Sequence, residues 1–305
     1  MARHRAPARS HARSILAATL TVVLIIVAAA VVATRRAWPE EARVGTEETA
    51  GRSQPASASP TPSGPTPDEL LAEALSSVTS DAPGRVAVSA VDVDTGESAA
   101  VGDEVVFATA SIVKVDILAA LLLRAQDNGR SLTPQEEQWA QDMIRSSDNA
   151  AASALWDVIG GAEGLTAANE RFGLTRTTAG AEGLWGLTET TIEDRLLLLR
   201  VVLTDSSELN ASSRAYAREL MGTVVDGQDW GVSAACDEAG EALLKNGWLP
   251  RTETGLWVVN SFGLVERDGR RLLVAVLSDG QPDQEVGIDL VETVAERAAS
   301  VVVAL

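Results

Sequence analysis

"FATASIVKVDIL", residues 107 to 118, sets a serine and a lysine three positions apart at the start of an apolar run with helical period. Residues three apart on a helix share a face, so Ser111 and Lys114 come within reach of each other. A helix N-terminus leaves backbone N–H groups free, and these can stabilise an oxyanion formed beside Ser111. The chain has 23 arginines and two lysines, Lys114 and Lys245. Arginine stays protonated at any useful pH, whereas burial or a neighbouring cation can strip the proton from a lysine. Moving a lysine from about 10.4 to near 7 costs its charged form roughly 4 to 5 kcal/mol, so the site has to be dry or already positive. The second lysine is a candidate source of that field. Ser-x-x-Lys alone is a weak signal, because most matches lie on solvated helix faces. The apolar setting "ASIVKVDILAALLL" makes a solvated Lys114 less natural.

Both histidines, His4 and His11, precede a long apolar segment near the N-terminus. The body of the chain therefore has no Ser-His-Asp triad and no zinc site of the usual histidine-bearing kinds. A nucleophilic serine here needs a lysine, a carboxylate or a bound water as its base. Two further stretches bear on this. In "IRSSDNAAASALW", Ser147, Asp148 and Asn149 precede an alanine-rich helix, and a plain N-cap accounts for them. In "LLKNGWLP", Lys245 lies on a strand before Asn246 and Gly247, which reads equally well as a strand-end lysine beside a turn glycine.

Outward from these stretches the periodicity changes twice. Before Ser111, "GRVAVSAVDVDTGESAAVGDEVVFA" alternates around Asp94-Thr95-Gly96 and predicts a hairpin, with a short helix ahead of it in "DELLAEALSSVTS". From Ser111 to about Val225 helical patterns dominate. Near the C-terminus come a strand in "ALLKNGWLP", a hairpin turning at Asp268-Gly269, and an amphipathic helix over the last residues. Strands at both ends around a helical middle predict an α/β (α+β) fold. One antiparallel sheet is built from N- and C-terminal strands and flanked by helices, with an all-helical lobe inserted.

Residues 15–34, "ILAATLTVVLIIVAAAVVAT", are uncharged over the length that a membrane-spanning helix needs. Arg3, Arg5, Arg9 and Arg13 outweigh Arg35 and Arg36, which puts residues 1–14 in the cytoplasm and the body outside. The small-residue end of the segment leaves a cleaved signal peptide as the alternative. Residues 35–68 are rich in Pro, Ser and Thr and read as a disordered tether, followed by one domain over 69–305. After residue 36 the chain has 43 acids against 19 basic groups and no basic stripe, which argues against nucleic acid as a partner. The one cysteine, Cys236, has no intrachain partner and no basic neighbour to activate it.

Taken in order, Ser-x-x-Lys, Ser-Asp-Asn and Lys-x-Gly resemble the motifs of the penicillin-recognising serine hydrolases, most closely the class A β-lactamase family, over about residues 69 to 305. The resemblance implies roles for the residues on those motifs. Ser111 would be acylated, with its own N–H and one from the strand beyond Gly247 as the oxyanion hole. Lys114 would be base or proton relay, and Ser147 would pass a proton to the leaving nitrogen. Asn149 would hold the substrate's side-chain amide. Lys245 and Asn246 would meet a substrate carboxylate, and Gly247 would let the substrate backbone lie against the strand. A monomer with no cofactor is expected, acting on a β-lactam or a cell-wall peptide.

The chain departs from that pattern in three places. The family's Glu-x-x-Leu-Asn omega-loop segment is missing from "GLTRTTAGAEGLWGLTETT", where Glu182 is the nearest candidate for the deacylating base and Glu189 a poorer one. Ser147 follows Ser111 by only 36 positions, which implies a trimmed helical lobe. Asn246 stands where threonine or serine is usual. Acylation is thus better supported than deacylation. The alternatives are a DD-peptidase or transpeptidase, which needs no such glutamate, and a ligand-binding domain without turnover.

Overall fold

The computed structural model describes residues 64–80, 82–205 and 207–305. The basic tail 1–14, the apolar segment 15–34 and nearly all of the tether lie outside the described residues, among which no helix is long and apolar enough to cross a membrane.

The first element, α1 (Pro67–Thr79), starts at a capping box in which Thr66 and Glu69 each accept the other's backbone N–H. It is followed by β1 (Arg85–Asp92) and β2 (Ser98–Val101), the predicted hairpin. The Asp92 carboxylate closes that turn by accepting from the N–H groups of Asp94 and Thr95. Short β3 (Phe107–Ala108) leads into a 3-10 turn, Ala110–Ile112, and then α2 (Val113–Asp127). The lobe continues with α3 (Pro134–Arg145), α4 (Asn149–Ile159) and α5 (Gly161–Phe172). The chain then passes through β4 (Glu189–Thr190), which pairs with β3, to α6 (Ile192–Leu203) and α7 (Ala211–Met221). It ends with β5 (Ala242–Pro250), β6 (Trp257–Arg267), β7 (Arg270–Gln281) and α8 (Gln284–Val303).

The main sheet has the order β2-β1-β7-β6-β5 and is antiparallel throughout, so strands from the two ends of the sequence do form one sheet. Period-2 alternation divides its core. Along β7, Leu273, Ala275 and Leu277 face the helical lobe, while Leu272, Val274 and Val276 face α1 and α8. Between Ser111 and Ser147 the structure has only α2 and α3, which is the short lobe implied by the sequence.

Helix α2 is buried on almost every side, so its polar side chains need partners inside the protein. Asp116 finds one in Arg195 of α6, through a bidentate pair at 2.6 and 2.9 Å with both side chains fully buried. Burial pushes the Asp116 carboxyl pKa up, and the guanidinium opposes that shift.

Candidate active site

The turn that carries Ser111 is fixed from below by the sheet. Asn260 of β6 donates from Nδ2 to the carbonyls of Ala108 and Thr109, at 2.9 and 3.0 Å, and accepts the Ser278 N–H on Oδ1 at 3.0 Å. Ala110, just before the serine, has φ 48°, a left-handed conformation that a β-carbon disfavours. Across the sheet from Asn260 lies Gly247. A β-carbon on Gly247 would stand 2.7 Å from the backbone nitrogens of both Ser111 and Ile112. The glycine therefore serves the close approach of β5 to the serine's own turn.

The side chains of the three motifs converge. Lys114 Nζ lies 3.0 Å from Ser111 Oγ, 3.0 Å from Ser147 Oγ and 2.8 Å from Asn149 Oδ1, and it also faces the Ser147 carbonyl. Lys245 Nζ reaches Ser147 Oγ at 3.1 Å and the Asn246 carbonyl at 2.9 Å. Ser147 Oγ thus stands between two amines, on a residue whose φ of 58° is held left-handed by its surroundings. Asp148 caps α4 by accepting the Ala151 N–H at 2.7 Å, so the N-cap reading holds while Ser147 and Asn149 on either side of it meet Lys114.

Both lysines are buried. Burial lowers Lys114 to about 8, opposed by the Asp148 carboxylate. Lys245 falls further, to about 7, first through burial and then through the charge of Lys114. The two amines share Ser147 Oγ, so each charge disfavours the other.

Two expected residues stand elsewhere. Asn246, one position along the strand from Lys245, turns to the opposite face. Its Nδ2 donates to the carbonyls of Gln228 and Trp230, at 2.9 and 2.8 Å. An amide has two donor hydrogens, so none remains for a substrate carboxylate. Glu182 is exposed, has a left-handed backbone at φ 53°, and is absent from the residues that line the cleft beside Ser111. Glu189 pairs with Ala108 and Thr178 and is likewise absent from that lining.

What the omega-loop region brings to the cleft is an indole. Trp185 lies with its ring 5.1 Å from Lys114 Nζ, and its Nε1 donates to Ser153 Oγ at 3.2 Å. Trp248 and Leu249 of β5 line the same cleft. Both indoles also pack against the hydrophobic core. Sequence analysis passed over Asn260, whose signal was an amide inside a largely apolar strand. Cys236 is half-buried, and burial pushes its thiol pKa up, which fits an unreactive side chain.

Comparison with known proteins places this geometry. The profile described as "Beta-lactamase enzyme family" matches residues 70–137 and 132–302. Proteins named "Putative lipoprotein LppW", from Mycobacterium tuberculosis and Mycobacterium bovis, are 27% identical over 195 residues. That alignment spans 62% of this chain and 62% of the length of those relatives. A class A β-lactamase from Bacteroides cellulosilyticus superposes with a TM-score of 0.69 at 15% identity, over 79% of this chain and 100% of that one. A variant of PBP-A, solved as its acyl-enzyme complex with penicillin G, gives 0.66 at 22% identity, over 77% and 97%. At such identities these two likenesses speak for the fold, and the family profile carries the assignment. With a match along almost the whole described domain, the chain belongs to the β-lactamase enzyme family.

Proposed function

We propose that this protein is an envelope-bound serine hydrolase that opens activated amides of the β-lactam type through an acyl-enzyme on Ser111. The observation that carries this reading is the unbroken contact from Ser111 Oγ through Lys114 Nζ and Ser147 Oγ to Lys245 Nζ. Lys114, lowered to about 8, has a neutral fraction at physiological pH that can accept the hydroxyl proton as Oγ bonds to the carbonyl carbon. The oxyanion would meet the N–H groups of Ser111 and Trp248, the latter on the edge strand of the sheet. As the C–N bond breaks, Ser147 hands its proton to the nitrogen and is reprotonated from the lysines on either side. Asn149 keeps its Nδ2 for a substrate carbonyl, since Lys114 engages only its Oδ1.

Release of the acyl group needs a base for water, and the cleft lining contains no carboxylate. Acylation therefore outruns deacylation, which favours a penicillin-binding or peptidase-like role over efficient antibiotic destruction. Anchoring by residues 15–34 draws support from their uncharged, apolar sequence.

The test is incubation of the full chain with a chromogenic β-lactam, following absorbance and intact mass, with Ser111→Ala as control. One adduct on Ser111 that decays slowly is the expected result. Fast sustained turnover, lost in Ser111→Ala, would show that a deacylating base exists and make Glu182 the next residue to vary, and the absence of any Ser111 adduct would sink the proposal.

A further inference from the structure

The cleft beside Ser111 contains no charged side chain in its lining. Its walls are Leu184, Trp185 and Leu187 from the loop before β4, and Trp248 and Leu249 from β5, around a volume of about 320 Å³. That is the low end of the range for small-molecule sites. Leu184 and Leu187 leave 55% and 37% of their surface in water next to a nucleophile, an arrangement that costs solvation until something apolar covers them.

The wall on the β5 side is braced. Trp230 packs behind Trp248 with ring centroids 5.9 Å apart and planes tilted by 56°, and the Trp230 carbonyl is tied down by Asn246. Groups that would receive a substrate carboxylate are meanwhile engaged. Lys245 is 1% exposed and bonded to Ser147 and Asn246, while both Asn246 donors are satisfied by backbone carbonyls.

We propose that this cleft is an acyl-chain subsite, and that the preferred substrates are neutral esters or amides carrying a medium-length alkyl or aromatic acyl group. The proposal rests on the serine acyl-transfer reading above and names its substrate class. For an ester, the bond from Ser111 Oγ to the acyl carbon forms and the bond from that carbon to the alkoxy oxygen breaks. The serine proton travels by Lys114 and Ser147 to the leaving oxygen, giving the alcohol. Water then cleaves the serine ester, yielding the carboxylic acid and restoring the hydroxyl. Asn246 enters as a positioning residue, through the loop that holds Trp230 against Trp248.

The full chain is to be mixed separately with p-nitrophenyl acetate, butyrate and octanoate, reading p-nitrophenolate release and the mass of the Ser111 adduct, with the Ser111→Ala rate subtracted. Each methylene that leaves water is worth about fourfold, so octanoate should acylate at least about tenfold faster than acetate even when only a couple of its extra methylenes are covered. Leu184→Asp, at an exposed position where circular dichroism can verify the fold, should cut that ratio about fivefold or more, and Leu184→Met should keep it. A ratio near one with Ser111 still acylated overturns the apolar subsite and leaves the acyl-transfer reading standing. A ratio untouched by Leu184→Asp also overturns the subsite as drawn here. No Ser111 adduct with any ester or β-lactam overturns both.

Discussion

The question at the residue scale is why lysine, rather than arginine, stands at position 114. An amine lowered to about 8 can give up and regain a proton near neutral pH, whereas a guanidinium cannot. Lys114→Arg should therefore lower the acylation rate about 10²- to 10⁴-fold, the usual worth of a general base, as read by stopped-flow with a chromogenic substrate. In the unaltered protein the same rate should climb with pH between about 7 and 9 and level off above, because the neutral amine of Lys114 is the active form. The apparent midpoint belongs jointly to Lys114 and Lys245, which share Ser147. Gly247→Ala should impair acylation and cost about 1 to 3 kcal/mol by urea unfolding, since the added methyl meets the Ser111 and Ile112 nitrogens. Much of this site was legible because lysine is so scarce in the chain that both examples stood out. The carbonyls of Gln228 and Trp230 take both Asn246 donors, and strand alternation alone turns that side chain away from the face of Lys245. Glu182 and Trp185 were a different matter: they lie in a loop with no period, where only tertiary contacts decide which side chain turns inward.

At the scale of elements, α2 and α6 are joined by the Asp116–Arg195 pair, which has no access to solvent. Its chemistry allows a sharp distinction. Asp116→Ala leaves a guanidinium buried without its counter-charge and should cost about 3 to 5 kcal/mol, whereas Asp116→Leu combined with Arg195→Leu should recover most or all of that loss. Urea unfolding of the single and double variants measures both, and equal losses in the two would show that the charges are not coupled. The helices and strands themselves were readable from their periods, since 3.6-residue and 2-residue patterns are set by the faces each element buries. An acid within the apolar run of α2 was the visible hint of the ion pair. Its partner, 79 positions away, could be identified only by the packing of one helix on another.

For the whole molecule, the two lowered amines make stability depend on pH. Their folded values of about 8 and about 7 lie well below the ordinary 10.5, so between those limits the unfolded chain binds more protons than the folded one. Stability should rise as pH increases from 8 to about 9.5, by up to about 1.4 kcal/mol per unit for each lysine, and flatten below 7, where both states are protonated. Urea midpoints across that range measure the slope, and Lys245→Met should remove roughly half of it. The architecture was legible in outline, because strand-like ends and a helical middle leave few ways to bury every apolar face. The strand order was not, since sequence says which residues alternate and is silent on which strand lies beside which.

That order has a consequence in time. Strand β1 lies inside the sheet, with Arg85 opposite Asp279 and Asp92 opposite Leu272, so one of its two edges stays bare until β7 has been made. The turn that carries Ser111 depends on the same late arrival, because Asn260, which holds it, takes its own anchor from Ser278. Closure across so many residues is slow, and until it happens an emerging chain has only the β1–β2 hairpin of its N-terminal strands. Ser111 therefore acquires its setting only once β7 has been made, and a chain interrupted before β7 lacks the anchor of that turn.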